Sequence, residues 1–175
     1  MTRVIGIGNP LRGDDGIGPA VIAALLEETL PPDVEALDAG EAGVGLVGLM
    51  EEVDRVILVD AAEMGKAPGT FCVFGPEVVG KGTNGLSAHS VGTGEALQMA
   101  GALGCLPESL WIVGVQPKCM AWHIGLSPEI SQRLPEIVKA VLALYRQWNL
   151  KEVSKVRQIV SSGCVSYFMP PLLEE

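Results

Sequence analysis

Arg3-Val4-Ile5-Gly6-Ile7-Gly8-Asn9-Pro10-Leu11-Arg12-Gly13-Asp14-Asp15-Gly16-Ile17-Gly18 is the stretch that decides how the rest of the chain is read. Its first six residues form a short apolar run that ends in a glycine-rich turn, the pattern of a buried strand. From residue 17 to residue 30 the apolar positions recur at helical spacing. Glu27 and Glu28 face outward there, and Pro31-Pro32 bar continuation. Strand, tight turn and helix together open an α/β unit whose next strand returns parallel to the first. Outward from this unit the alternation continues. Residues 34–39, 55–60, 70–74 and 110–115 read as strands, and residues 43–53, 90–102 and 128–148 as helices. Pro135 falls in an early turn of the last helix, where it predicts a kink or a restart. The expectation is one α/β domain over residues 1–148, a three-layer α/β/α sandwich around a mostly parallel five-stranded sheet. A glycine-rich loop runs through Gly80 and Gly85. The C-terminal extension, residues 149–175, reads separately, with some strand character over residues 158–168 ahead of Met169-Pro170-Pro171.

Composition supports a folded, water-soluble domain. Of the 175 residues, 48% are hydrophobic and 19% charged, the reverse of the disordered signature. Apolar runs such as Val56-Ile57-Leu58-Val59 fall far short of the roughly 20 residues of a membrane span. The start lacks a basic, apolar and small-residue leader pattern, so a cytoplasmic location without membrane partners is expected. The net charge is −9; residues 1–110 hold 16 acids against 5 bases, and residues 111–175 hold 5 against 7. No basic stripe for nucleic acid stands out. Cys72, Cys105, Cys119 and Cys164 form no CxxC pair and read as buried small hydrophobes. Nothing in the pattern requires more than a monomer.

In open α/β sheets ligands bind beyond the carboxyl ends of the strands. The residues expected at that rim are Asn9 to Gly16, Asp38-Ala39-Gly40-Glu41, Asp60, Ser87-Ala88-His89-Ser90 and Gln116-Pro117. Gly6-Ile7-Gly8 begins like a dinucleotide fingerprint, but Leu11 stands where its third glycine belongs. Asp14 and Asp15 would also repel a pyrophosphate from the helix start. Asp15, Asp60 and His89 lie at three different rim positions, and carboxylates with imidazole suit a borderline divalent ion such as nickel or zinc. Each also has an ordinary reading: Asp14 or Asp15 as a helix cap, Asp60 as a turn cap, His89 as a helix cap or packing residue. Asp14 is expected to serve the turn, with Asp14→Asn costing at most about 1 kcal/mol. Asp15→Asn and Asp60→Asn are expected to leave stability nearly unchanged. Gly8, Asn9 and Gly40 either let the backbone approach a ligand or simply form tight turns. His123 reads as structural.

The opening stretch closely resembles the GxGNxxxxDDGxG signature of the hydrogenase maturation endopeptidases. Further matches follow in order: Asp38-Ala39-Gly40, Ile57-Leu58-Val59-Asp60-Ala61, Ser87-Ala88-His89, Gly114-Val115-Gln116-Pro117 and His123-Ile124-Gly125-Leu126-Ser127-Pro128. The resemblance covers about residues 1–148. It implies the phosphorylase/hydrolase-like α/β/α sandwich and a protease that trims the C-terminus of a nickel–iron hydrogenase large-subunit precursor after nickel insertion. It places the metal-contacting positions on Asp15, Asp60 and His89. Asp38 matches a further acidic position of less settled role, where it could orient or deprotonate water. The nickel would arrive with the substrate, and no tightly bound metal of the chain's own is expected. Two other readings stay open: a non-catalytic nickel-binding hydrogenase chaperone with the same ligands, and an esterase resembling peptidyl-tRNA hydrolase. The latter shares the GxGNP turn, but its Thr-Arg-His-Asn segment is replaced here by Arg12-Gly13-Asp14-Asp15.

Overall fold

The structure is a computed structural model and describes residues 1–75 and 91–149. The loop through Gly80 and Gly85, the Ser87-Ala88-His89-Ser90 segment, Cys164 and all of the C-terminal extension after Asn149 lie outside these residues. Among the described residues there are five strands: β1 (Thr2–Ile7), β2 (Val34–Gly40), β3 (Arg55–Ala61), β4 (Phe71–Phe74) and β5 (Ser109–Val115). Four α-helices accompany them: α1 (Ile17–Leu26), α2 (Leu46–Met50), α3 (Val91–Leu103) and α4 (Pro128–Asn149). The sheet order is β2-β1-β3-β5-β4. β2, β1, β3 and β5 run parallel, whereas β4 lies antiparallel on β5, pairing Phe71 with Val115 and Phe74 with Ile112. The reversal follows from the connection. No helix separates β3 from β4, and the chain turns straight back over the end of β5.

Alternation along each central strand divides the core into two layers. Val4, Ile57, Val59 and Val113 face α1 and α4, meeting Ile17, Val21 and Ile22 of α1 and Ile130, Ile137 and Val141 of α4. Ile5, Val56, Leu58 and Ile112 face the other way, onto Leu46, Val47 and Met50 of α2 and Ala96, Leu97 and Ala100 of α3. β3 is buried on both faces, which explains its unbroken apolar run. α1 ends at Leu26 rather than at residue 30, short of Pro31-Pro32, which have no N–H to return to the carbonyls of Glu27 and Glu28. The expected helix over residues 43–53 is a 3-10 turn, Gly43–Gly45, leading into the short α2. α4 continues through Pro135 without restarting. Both Pro135 and Ser131, whose carbonyl loses its helical donor, are exposed, so water can satisfy that carbonyl.

The start of α1 is drawn flush against the sheet by glycines. A side-chain carbon on Gly18 would collide with the carbonyl oxygens of Ile7 and Val59, and one on Gly6 would strike the Gly18 carbonyl. Gly18→Ala is therefore expected to lower stability by about 3 kcal/mol in chemical denaturation. Gly48, exposed in α2 with nothing within 4 Å of where its side-chain carbon would stand, gives the opposite case. Gly48→Ala should raise stability by up to about 1 kcal/mol in the same assay, through the backbone freedom removed from the unfolded chain.

Candidate active site

The crossover after β1 carries α1 to one face of the sheet, and the crossover after β2 carries α2 to the other. Strand order thus reverses at β1 and β3, and the cleft beyond their carboxyl ends is where such sheets bind ligands. Asp15 and Asp60 flank that point. Asp60 is the penultimate residue of β3, is 2% exposed, and has one carboxylate oxygen facing the Thr93 hydroxyl on α3, which donates to it at 3.3 Å. Asp15 sits in the 3-10 turn Gly13–Gly16 that leads into α1 and is buried; the backbone N–H of Asn9 donates to its carboxylate at 3.0 Å. Gly8 makes this possible. Its φ is +133°, and the Asp15 carbonyl occupies the place of a side-chain carbon there. Gly8 is therefore needed for packing the turn.

Burial pushes the Asp60 carboxyl up to about 7, with the negative charge of Asp15 adding to the effect and the Thr93 hydroxyl and Ala61 N–H opposing it. Asp60 therefore keeps its proton part of the time near neutral pH, since burial and the neighbouring carboxylate both disfavour its charge. A divalent cation would replace that proton and satisfy both charges. Among the described residues, no three His, Cys, Asp or Glu side chains are grouped to hold a metal ion. His89, the expected third ligand, is outside those residues.

Asp14 points elsewhere. Its side chain is 1% exposed and accepts from the backbone N–H groups of Lys118 (2.9 Å), Cys119 (2.8 Å) and Ser127 (2.6 Å), and from the Ser127 hydroxyl (2.8 Å). These donors all lie between β5 and α4, not in the first turn of α1. Burial alone would raise its carboxyl, but the Ser127, Cys119 and Lys118 donors outweigh it and hold Asp14 below the usual carboxylate range. Asp14 thereby ties the loop after β5 to the turn after β1. The expected cap loss of about 1 kcal/mol is too small for this role.

Asp38 is at the same rim, near the end of β2. It is exposed, and one of its oxygens accepts from the Gly40 N–H at 2.9 Å. Gly8 donates to the Gly40 carbonyl at 3.0 Å, and the Asn9 side chain donates to Glu41 at 3.1 Å, so the β1 and β2 turns are joined. His123 is exposed, lies against Gly13, and has Nδ1 3.2 Å from the Ala121 carbonyl oxygen. Cys72 is buried as expected, but Cys105 is only half-buried and Cys119 is exposed. Thr93 went unnoticed in the sequence, and Gln116 was expected at the rim but without a role. Thr93 supplies the hydroxyl on Asp60. Gln116, buried at the end of β5, accepts from Met64 N–H at 2.7 Å and Lys66 N–H at 3.2 Å and donates to Glu63 at 2.8 Å. The Gln-Pro pair marked the rim, but nothing in it marked the loop that it holds.

The sequence profile of the family described as HycI, hydrogenase maturation protease, matches residues 19–144. A relative from Escherichia coli K12, the hydrogenase 2 maturation protease, is 36% identical over 155 residues, covering 87% of this chain and 94% of its own length. The hydrogenase expression/formation protein HupD of Rhizobium leguminosarum is 32% identical, with 98% of this chain and 83% of its own covered. The structure of the E. coli hydrogenase maturating endopeptidase HybD superposes with a TM-score of 0.75 at 36% identity, over 83% of this chain and 92% of that one. That of the Thermococcus kodakarensis [NiFe] hydrogenase maturation protease HycI gives 0.64 at 26% identity, over 80% and 88%. With an α/β sheet of this order and an acidic pair at its switch point, the chain belongs to the hydrogenase maturation protease family. It is an endopeptidase of that family, acting in hydrogenase maturation.

Two measurements check the roles of the neighbouring acids. Asp14→Asn replaces an acceptor oxygen by a donor NH2 facing buried N–H groups, so it is expected to cost on the order of 3 kcal/mol. Amide exchange in residues 118–127 should accelerate with it. Asp60 gives the opposite sign. Its folded-state carboxyl lies above the unfolded value of 3.8, so its protonated form stabilises the fold fully below about pH 4, and that contribution is lost as pH rises through about 7. Asp60→Asn, with chelator present, should therefore melt above wild type at pH 8, and this advantage should vanish by pH 4. The near-neutral effect expected from sequence takes no account of this burial.

Proposed function

We propose that the chain removes the C-terminal extension of a nickel–iron hydrogenase large-subunit precursor after nickel has been inserted, and that Asp15, Asp60 and His89 recognise the nickel carried by that substrate. The observation that carries this reading is the buried Asp15–Asp60 pair at the strand ends, where burial first and the Asp15 charge second push the Asp60 carboxyl up to about 7. Carboxylates without a thiolate make a weak trap for a free ion compared with cysteine-rich sites. A nickel already seated on the precursor's cysteines brings its own affinity and completes the set. Docking it brings positive charge to the pair and favours the charged form of Asp60.

Hydrolysis needs a water, a base and a polarised carbonyl. The substrate nickel draws electron density from the scissile carbonyl or from the attacking water. Asp38 accepts the proton of that water through the oxygen not occupied by Gly40 N–H. Water oxygen bonds to the carbonyl carbon, the C–N bond breaks, and the proton passes to the leaving amine. Asn9 holds the Asp15 carboxylate and Thr93 the Asp60 carboxylate, so both are oriented before substrate arrives.

The test offers nickel-loaded and nickel-free precursor to one enzyme preparation with chelator present throughout. Loss of the C-terminal extension is followed by mass. Only the loaded form is expected to be cut, and equal cleavage of both would refute recognition through nickel. Asp15→Asn, Asp60→Asn and His89→Ala should each abolish processing while the purified variants remain folded by circular dichroism. A folded variant that processes at the wild-type rate would remove that residue from the site.

A further inference from the structure

The proposed reaction leaves unused an apolar surface beside the acidic pair. Trp122 is 75% exposed, Ile124 84% and Leu11 52%. They belong to two segments that are joined: Arg12 and His123 form a backbone bridge, and Gly13 N–H donates to the His123 carbonyl at 2.8 Å. The Arg12 guanidinium stacks 5.7 Å from the Trp122 ring centroid. Its buried Nε has no hydrogen-bond partner, and among the described residues Arg12 makes no ion pair. Single exposed apolar side chains are ordinary, but these stand on two backbone-linked segments that are held in place. Asp14 fixes Lys118, Cys119 and Ser127 on either side of the tip, and the Gly13 backbone lies against the His123 ring. A loop so anchored cannot fold its tryptophan and isoleucine away from water.

We propose that Leu11, Arg12, Trp122 and Ile124 form the docking face for the precursor protein, gripping an apolar anchor of its surface flanked by a carboxylate. This rests on the functional reading above and adds the contact made outside the acidic centre. Position supports it, since Arg12 is three residues from Asp15 and its carbonyl accepts from the Asp15 N–H at 3.2 Å. Charge supports it as well. Lys118 is already paired with Glu129 at 2.6 Å, whereas Arg12 has no ion pair among the described residues, so on a chain of net −9 a partner's carboxylate is received at Arg12. Tryptophan and arginine are also the residue types that dominate binding energy when an interface covers them.

The experiment is a kinetic comparison on nickel-loaded large-subunit precursor from the same organism. The double variant Trp122→Ser/Ile124→Ser is expected to raise KM about tenfold or more with kcat retained, as loss of an interface anchor does. Arg12→Glu should raise KM as well, Arg12→Lys less so, and the Arg12 contribution should shrink at high salt. Leu103→Ser, an exposed apolar position on α3, should leave both constants unchanged. Ile124→Ser alone keeps the test valid if the double variant does not fold. Unchanged KM in the folded variants overturns the docking face while leaving the protease reading intact. Wild-type dimerisation abolished by the same substitutions would also overturn it, assigning the face to a second copy of the chain. Failure of wild type to cut the loaded precursor overturns the functional reading itself, and is seen before any variant is tried.

Discussion

Backbone laid on backbone is the constraint from which the site follows. Gly6, Gly8 and Gly18 have no side chains to keep the turn after β1 away from the sheet, so the Gly18 backbone comes down onto Ile7 and Val59. That approach brings Asp15 within electrostatic reach of Asp60, at the end of a strand with both faces covered. The repulsion so created is tolerated because β3 is among the most deeply buried parts of the chain, with Val56 through Val59 excluded from water on both sides. Hydrophobic burial along one strand underwrites an unfavourable charge at its tip.

Adjacent acids in one turn illustrate how local geometry divides labour. Asp14 is surrounded by donors and keeps its charge; Asp15 faces another carboxylate and shares in raising its pKa. The 3-10 turn separates them, since successive side chains leave it in different directions. One residue joins two loops and the other faces the cleft.

Much of this was legible in the sequence because it depends on periodicity. The buried strands, the long α4 and the rim positions of Asp15, Asp38 and Asp60 all follow from apolar spacing and from where strands stop. The antiparallel course of β4 was not legible, since a four-residue apolar strand looks alike in either direction and only its helix-free connection hints at reversal. Nor was the function of Asp14, whose donors lie more than a hundred residues away in the chain. Thr93 gave no signal, because a single hydroxyl in a helix is usually unremarked. Cys119 was misread because exposure belongs to the folded loop, and apolar character alone places such residues inside.

The loop between β3 and β4 has a consequence for how a polypeptide can lie on this rim. It passes over the end of β5 and is pinned there by Gln116, by Ala62 N–H on the Val115 carbonyl and by Gly69 N–H on the Gln116 carbonyl. Among the described residues the end of β5 is thus roofed, and the roof is tied down largely by backbone bonds rather than by side-chain packing. Anything laid across the ends of β1 and β3 meets a fixed obstacle over β5, one that no turning of a side chain can open.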